Sequence, residues 1–260
     1  MNNENPYQPP ATNLEPVRQQ DQDVWSFIEP QKVSFGRGLS WLVDGARLFG
    51  RNPGIWILIT IIYSLIMLFS SFVPFATNIL QPMLAGGLMI GCHDQDNDRS
   101  LEVRHLFEGF NAAGGKLAIL GALLLGISIL VMIVVMILFF AGVFTGALMQ
   151  KSGASETPII IVGLLSIPII LGVLLVFFSV SWFGPSLIAL QDLDVGTAFK
   201  MSLLAVKRNI LPLLLFGFFS FLLLILGALT LYIGYLVIIP IIIASSYACW
   251  KDIFTRASNA

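Results

Sequence analysis

Residues 209–250 read NILPLLLFGFFSFLLLILGALTLYIGYLVIIPIIIASSYACW, 42 residues without one charged side chain. A helix that crosses a bilayer needs about 20 apolar residues. The stretch is too long for one crossing and suits two, with a turn between Gly227 and Tyr235. Gly234, Tyr232 and Tyr235 fit an interfacial turn. This reading decides the fold, because the rest of the chain repeats it. Gly54–Gly91 carries no charge over 38 residues, Leu117–Gln150 none over 34 and Thr157–Gln191 none over 35. The first of these breaks near Pro74-Phe75-Ala76-Thr77-Asn78 into a second pair of helices. The other two are single long helices joined by the short polar run Lys151–Glu156. Helices of that length exceed the hydrocarbon core, so this pair is expected to tilt, kink or project, with Pro168 and Pro185 as kink points.

The predicted fold is therefore an all-α integral membrane protein with six transmembrane helices in three hairpins. The spans fall near 55–74, 76–91, 117–148, 158–190, 210–229 and 232–250. They make a membrane domain over 33–254, between a polar Pro-rich tail (1–32), expected to be disordered, and a short tail (255–260). Composition agrees. The chain is 57% hydrophobic and 11% charged, against about 25% charged in soluble domains. The start MNNENPYQPP has no basic region and no apolar core, so no signal peptide is expected. A net charge of −1 gives no basic field for a nucleic-acid partner. Cys92 and Cys249 end apolar runs and read as buried thiols rather than a disulfide framework.

Lys and Arg set the orientation. Arg18, Lys32, Arg37, Arg47 and Arg51 precede the first span. Arg99, Arg104 and Lys116 lie between spans two and three, Lys200, Lys207 and Arg208 between four and five, Lys251 and Arg256 after six. Thirteen of the fourteen basic residues thus share one side. Both termini are expected in the cytoplasm of a bacterial cell, with the spans in its inner membrane.

Each hairpin follows a cytoplasmic amphipathic helix expected to lie in the interface. The first, around 34–51, aligns Leu39, Leu42, Val43, Ala46 and Phe49. The second, around 100–113, aligns Val103, Leu106, Phe107 and Phe110. The third, around 194–209, aligns Val195, Ala198, Phe199, Ser202 and Val206. Each ends in basic residues (Arg51, Lys116 and Lys207-Arg208), which with Arg47 are candidate contacts for lipid head groups. An acid closes each pair of spans: Asp94, Asp192 and Asp252. Pro82 and Pro240 each stand 12 residues before their acid and Pro185 only seven before its own, so the middle unit is the looser copy of a threefold repeat. Gly87 with Gly91 and Gly142 with Gly146 form two GxxxG pairs, suited to close helix packing within the chain or in a dimer.

The run Cys92–Asp98, CHDQDND, resembles a metal site at first sight. Counted from Asp94, however, an EF-type loop would put Arg99 where glycine is needed and His105 where the bidentate Glu belongs. A zinc site from Cys92, His93 and His105 lacks the second close ligand pair. The run reads as an acidic linker, with Asp98 or Ser100 capping the next helix. No catalytic constellation, metal or cofactor is expected. No Asp, Glu, Lys, Arg or His lies within a predicted span, whereas ion-coupled transporters usually hold such a group there. Asn78 and Gln81, the most polar residues there, sit close to a helix end.

Phe183–Asp192, Ala198-Phe199-Lys200-Met201-Ser202 and Lys207-Arg208-Asn209 together resemble a pattern of bacterial multi-pass proteins. That group includes YciC-like inner-membrane proteins and the membrane region attached to some glycerophosphodiester phosphodiesterases. Pro82–Cys92 and His105–Phe110 resemble more closely an uncharacterised proteobacterial family of six-span inner-membrane proteins, many of which carry a similar NPYQPP start. The resemblance covers residues 34–254. It implies an inner-membrane protein and brings no activity, since the phosphodiesterase chemistry belongs to a separate soluble domain, expected to be absent here. The functional expectation is a non-enzymatic protein whose interfacial helices contact lipid head groups or a membrane-protein partner, with a homo-oligomer possible. The alternative is a transporter or flippase for a neutral or lipid-like solute, which requires a polar cavity reaching the midplane.

Overall fold

The computed structural model describes residues 25–152 and 157–257. The NPYQPP run and residues 153–156 of the predicted polar loop lie outside them. The described chain is almost entirely helical: α1 (Arg37–Arg51), α2 (Pro53–Ser70), α3 (Ala76–Asp96), α4 (His105–Ser152), α5 (Thr157–Gln191), α6 (Val195–Arg208), α7 (Ile210–Leu229) and α8 (Tyr235–Phe254). Two three-residue strands, β1 (Trp25–Phe27) and β2 (Thr255–Ala257), pair antiparallel.

The boundaries have local causes. Pro53 opens α2 without losing a helix bond, because the first N–H of a helix has no partner anyway. Asp194 caps α6 by accepting from the Thr197 N–H at 2.8 Å. α4 turns at Ala113, whose φ of −149° is not helical. That break separates the predicted second amphipathic helix from the long span. The kink thus lies in α4, while α5 continues as helix through Pro168 and Pro185.

Five helical segments are long and apolar enough to cross a membrane: Pro53–Ser70, His105–Gly146, Ser166–Gln191, Ile210–Leu229 and Tyr235–Phe254. The chain has the build of a multi-pass membrane protein. α3 misses the criterion because Asn78, Gln81, His93, Asp94 and Asp96 dilute its apolar residues. It is also the helix that needs lipid-compatible side chains least. Pro82, Leu84, Gly86 to Met89, Gly91, Cys92 and Gln95 are all buried among its neighbours.

Packing departs from three separate hairpins. α4 and α5 do lie side by side, but α2 and α3, like α7 and α8, touch little. The extensive contacts link one unit to the next. The start of α4 packs on α3, α6 on α5, and α1 on α8, which closes the ring. α3, α5 and α8 meet at its centre. Glycines make two of these crossings close. A Cβ on Gly87 would strike the carbonyls of His105 and Leu106, and one on Gly45 would strike Ser245 and Ile241. Gly91 likewise faces Leu101 and His105. The first predicted GxxxG therefore packs within the chain, whereas Gly142 has open space around it. Gly146, its predicted partner, is half-buried.

The α4–α5 pair outreaches the ring. Among the described residues, α4 has no buried side chain beyond Leu124 and α5 none before Ser179. At about 1.5 Å per residue, Leu125 to Ser152 makes roughly 42 Å of two-helix projection. Its surface is apolar, with Met136, Ile137, Phe139, Phe140, Val143 and Phe144 all more than half exposed.

Residues 25–32 and 255–257 are held in place, although the sequence reading assigns them to the two tails. Beyond the β1–β2 pair, the Ile28 and Gln31 N–H groups donate to Phe254 and Ile253. Asn209, fully buried, accepts from the Val33 N–H and donates to the Gln31 carbonyl. The composition of this segment is polar, yet its backbone bonds find partners on α8 and at the α6–α7 junction.

Candidate functional site

The charged residues converge at one end of the bundle, where α1, the end of α3 and the end of α8 meet. The CHDQDND run is central there, and it is not a linker. α3 continues to Asp96, so Cys92–Asp96 form its last turns. Gln95 is buried; its Oε1 accepts from Trp56 Nε1 at 3.0 Å, and its Nε2 donates to the Leu48 carbonyl at 3.0 Å. It ties α3 to both α1 and α2. Asp96 accepts from Tyr247 Oη at 3.1 Å and from Lys251 Nζ at 2.5 Å, which ties α3 to α8. Asn97 closes the helix, its Nδ2 donating to the His93 carbonyl.

Two of the three acids that close the units have matching roles. Asp252 Oδ2 accepts from Trp41 Nε1 at 2.9 Å and Arg37 Nε at 2.7 Å. Asp94 Oδ2 lies 3.1 Å from His105 Nε2, and its Oδ1 accepts from Arg99 at 3.1 Å. Trp41 and His105 each stand four residues before a glycine at which their helix crosses its neighbour: Gly45 against α8, and Gly109, whose Cβ would strike the Met83 carbonyl of α3. At two junctions a buried ring N–H and an arginine thus meet the acid of the preceding unit. The hydrogen bond to Asp252, followed by the charges of Asp252 and Asp44, holds the Arg37 guanidinium above its ordinary pKa, against partial burial. The third acid differs. Asp192 is exposed, has a φ of +50°, and accepts from Lys116 of its own unit at 2.6 Å. Ala198 stands on α6 where Trp41 and His105 stand on theirs, and its methyl side chain has no donor to offer.

Asp94, His105 and Glu108 bring one ligand atom each to within 4.8 Å of one another, a grouping that the sequence spacing does not reveal. The hydrogen bonds argue against a metal there. The Glu102 N–H donates to His105 Nδ1 at 2.9 Å, closer than the Glu102 carbonyl at 3.1 Å. Nδ1 is then the acceptor nitrogen and the proton sits on Nε2, directed at Asp94. A cation on Nε2 would have to displace that proton and compete with Arg99 for the carboxylate. The cluster reads as a brace between α3 and α4. The predicted cap by Asp98 or Ser100 does not form: α4 begins at His105, and the N–H groups of His105, Leu106 and Phe107 donate to the carbonyls of Glu102, Val103 and Arg104.

Beside this layer, α1 and α8 flank a cleft of about 360 Å³. Arg37, Arg47, Arg51 and Lys251 line it with Asp44, Asp96 and Asp252. Of the five basic residues singled out from the sequence, the cleft gathers two. Arg47 is exposed and pairs with Asp44 at 3.1 Å, and Arg51 reaches the Gln95 carbonyl at 2.6 Å and Asp98 at 3.1 Å. Lys116 is spent on Asp192, and Arg208 donates to the Pro30 carbonyl at 2.5 Å. Lys207 is exposed and makes no polar contact among the described residues. Arg37 and Lys251 carry no sequence signal beyond the positive-inside count; only the α1–α8 crossing brings them to Arg47.

The apolar face of α1 also differs from its periodicity. Gly38, Trp41, Leu42, Gly45 and Leu48 are buried, while Leu39 and Val43 are exposed. The helix has a packing face against α8 and α7, and a separate apolar stripe, Leu39, Val43 and Ala46, that faces outward. No protein family, no curated protein and no solved structure matches this chain.

Proposed function

We propose that this is a six-crossing bacterial inner-membrane protein, of the uncharacterised family that its motifs resemble, which binds phospholipid head groups at its cytoplasmic end without catalysing a reaction. The observation that carries the reading is the α1–α8 cleft, where four basic side chains sit beside the outward apolar stripe of α1. A helix lying in the interface buries such a stripe among acyl chains and sets its basic residues at phosphate level. Six crossings are supported by parity. β1 and β2 hold the two described ends together, so the chain between them crosses an even number of times. With five strongly apolar helices, α3 supplies the sixth crossing, sheltered by its neighbours. The positive-inside count supports cytoplasmic ends.

The test uses Arg47→Gln and Lys207→Gln, because both side chains are exposed and neither reaches beyond its own helix to a partner among the described residues. Thermal stability is compared in vesicles of phosphatidylglycerol with phosphatidylethanolamine and in vesicles of phosphatidylcholine alone. The parent chain is expected to melt higher in the anionic vesicles, and the double variant to lose most of that difference. A parent chain indifferent to lipid charge would end the proposal. A second reading, a carrier for a neutral solute, is favoured by a cavity between α2, α3, α5 and α8 whose mostly apolar wall carries five polar side chains.

A further inference from the structure

The cavity between α2, α3, α5 and α8 holds about 170 Å³. Its polar lining comes from Tyr63, Gln81, Ser181, Ser186 and Ser246. Most of its wall is apolar, from residues such as Leu88, Met89 and Ile243. Its depth follows from helix rise. Ser186 and Ser246 stand six residues before Asp192 and Asp252, about 9 Å from the charged end, and Gln81 stands 13 before Asp94, about 20 Å. Half of a hydrocarbon core is about 15 Å. The cavity therefore reaches the middle of the bundle's apolar length.

Its polar groups are largely unmatched. Ser246 Oγ donates to the Ile242 carbonyl. The side chains of Tyr63, Gln81, Ser181 and Ser186 make no hydrogen bond among the described residues. Pro185 has no N–H, so the Ser181 carbonyl on the same wall also loses its helix partner. A polar group left unpaired in an apolar medium is costly, and several gathered around one space imply a polar occupant. Trp182 also borders the cavity, and its buried indole N–H makes no hydrogen bond among the described residues.

The lining also states what the occupant is. No Asp, Glu, Lys, Arg or His lines the cavity, so a charged ligand would find no counter-charge at this depth. Gln81 and the hydroxyls each donate and accept, and the Ser181 carbonyl accepts. We infer that the cavity is a binding site for a small uncharged solute bearing both hydrogen-bond donors and acceptors, of the polyol or amide class. This needs binding alone and rests on neither the head-group reading nor transport.

The experiment places a thiol in the cavity, as Ser186→Cys and separately Ser181→Cys, in the full chain reconstituted into phosphatidylcholine vesicles. Cys92 and Cys249 are fully buried and provide the unreactive background, measured in the parent chain. Monodispersity and helicity show which variant has folded, and either one suffices. The expected result is reaction with N-ethylmaleimide at least tenfold faster than with a sulfonated maleimide. Glycerol at 1 M should slow that reaction more than threefold, relative to a Lys207→Cys surface control. Failure to label before unfolding in detergent would show the cavity closed and overturn the site. Equal rates for the sulfonated reagent would overturn its preference for uncharged molecules, and absence of glycerol protection would overturn binding. Vesicle swelling in a glycerol gradient is read separately. Protection without swelling removes the carrier reading and leaves the site standing.

Discussion

Replacing Gly45 with alanine adds one methyl group where α1 crosses α8. That carbon would sit 2.6 Å from both the Ile241 carbonyl oxygen and the Ser245 nitrogen, about 0.8 Å short of the 3.4 Å at which ordinary contact begins. The Ser245 hydroxyl, nearer still, can rotate away, but these two obstacles are backbone, so α1 must move outward. Trp41 is fully buried and donates to Asp252 one turn away, so the movement strains that bond as well. Overpacking of this kind costs about 1–3 kcal/mol, and loss of a hydrogen bond to a charged group about 1.5–3 kcal/mol more. Gly50, on the same helix, is exposed with nothing within 4 Å. Alanine there should be neutral or stabilising, by up to about 1 kcal/mol, through helix propensity. Equilibrium unfolding in mild detergent measures both variants. If Gly45→Ala and Gly50→Ala had the same stability, α1 would not be held on α8 as described, and the ring closure would fall with it.

Other outcomes follow from the same geometry. Gln95→Leu keeps the volume but strips the partners from Trp56 Nε1 and the Leu48 carbonyl, and should cost about 2–5 kcal/mol in unfolding measurements. A cost below 1 kcal/mol would mean that water replaces the amide. The Thr197 hydroxyl and N–H both bond Asp194 and hold its carboxyl below the usual value of 3.8. The stability it gives is fully present above that value and is lost as pH falls through the lower folded one. Melting temperatures of the parent chain and Asp194→Ala should therefore converge on acidification, and a constant difference would refute the cap. The α4–α5 projection should favour thick bilayers, so stability should rise from 14-carbon to 22-carbon phosphatidylcholine chains. Indifference to chain length would indicate that the projection is covered by protein rather than lipid.

The uncharged runs and the basic clusters carry the class of this protein on their face. A bilayer span is a local property, twenty residues without charge, and the amphipathic helices and their unit-closing acids are likewise periodic along the chain. α1, α6 and the start of α4 are accordingly legible as helices. The partners of those elements are not local. Nothing in the periodicity of residues 34–51 says that Gly38, Trp41 and Gly45 form the buried face, because Leu39 and Val43 are equally spaced and more apolar. That choice depends on the closeness of approach that Gly45 permits against Ser245, 200 residues away. The same long-range packing makes a helix end out of CHDQDND, binds residues 25–33 to α6 and α8, and collects Arg37, Arg47, Arg51 and Lys251 around one cleft. The sequence by itself determined where the chain is apolar and which side is basic, because those are sums over neighbours. Only the tertiary structure decided which polar groups meet, because each meeting is set by the backbone crossings that three small residues, Gly45, Gly87 and Gly109, allow.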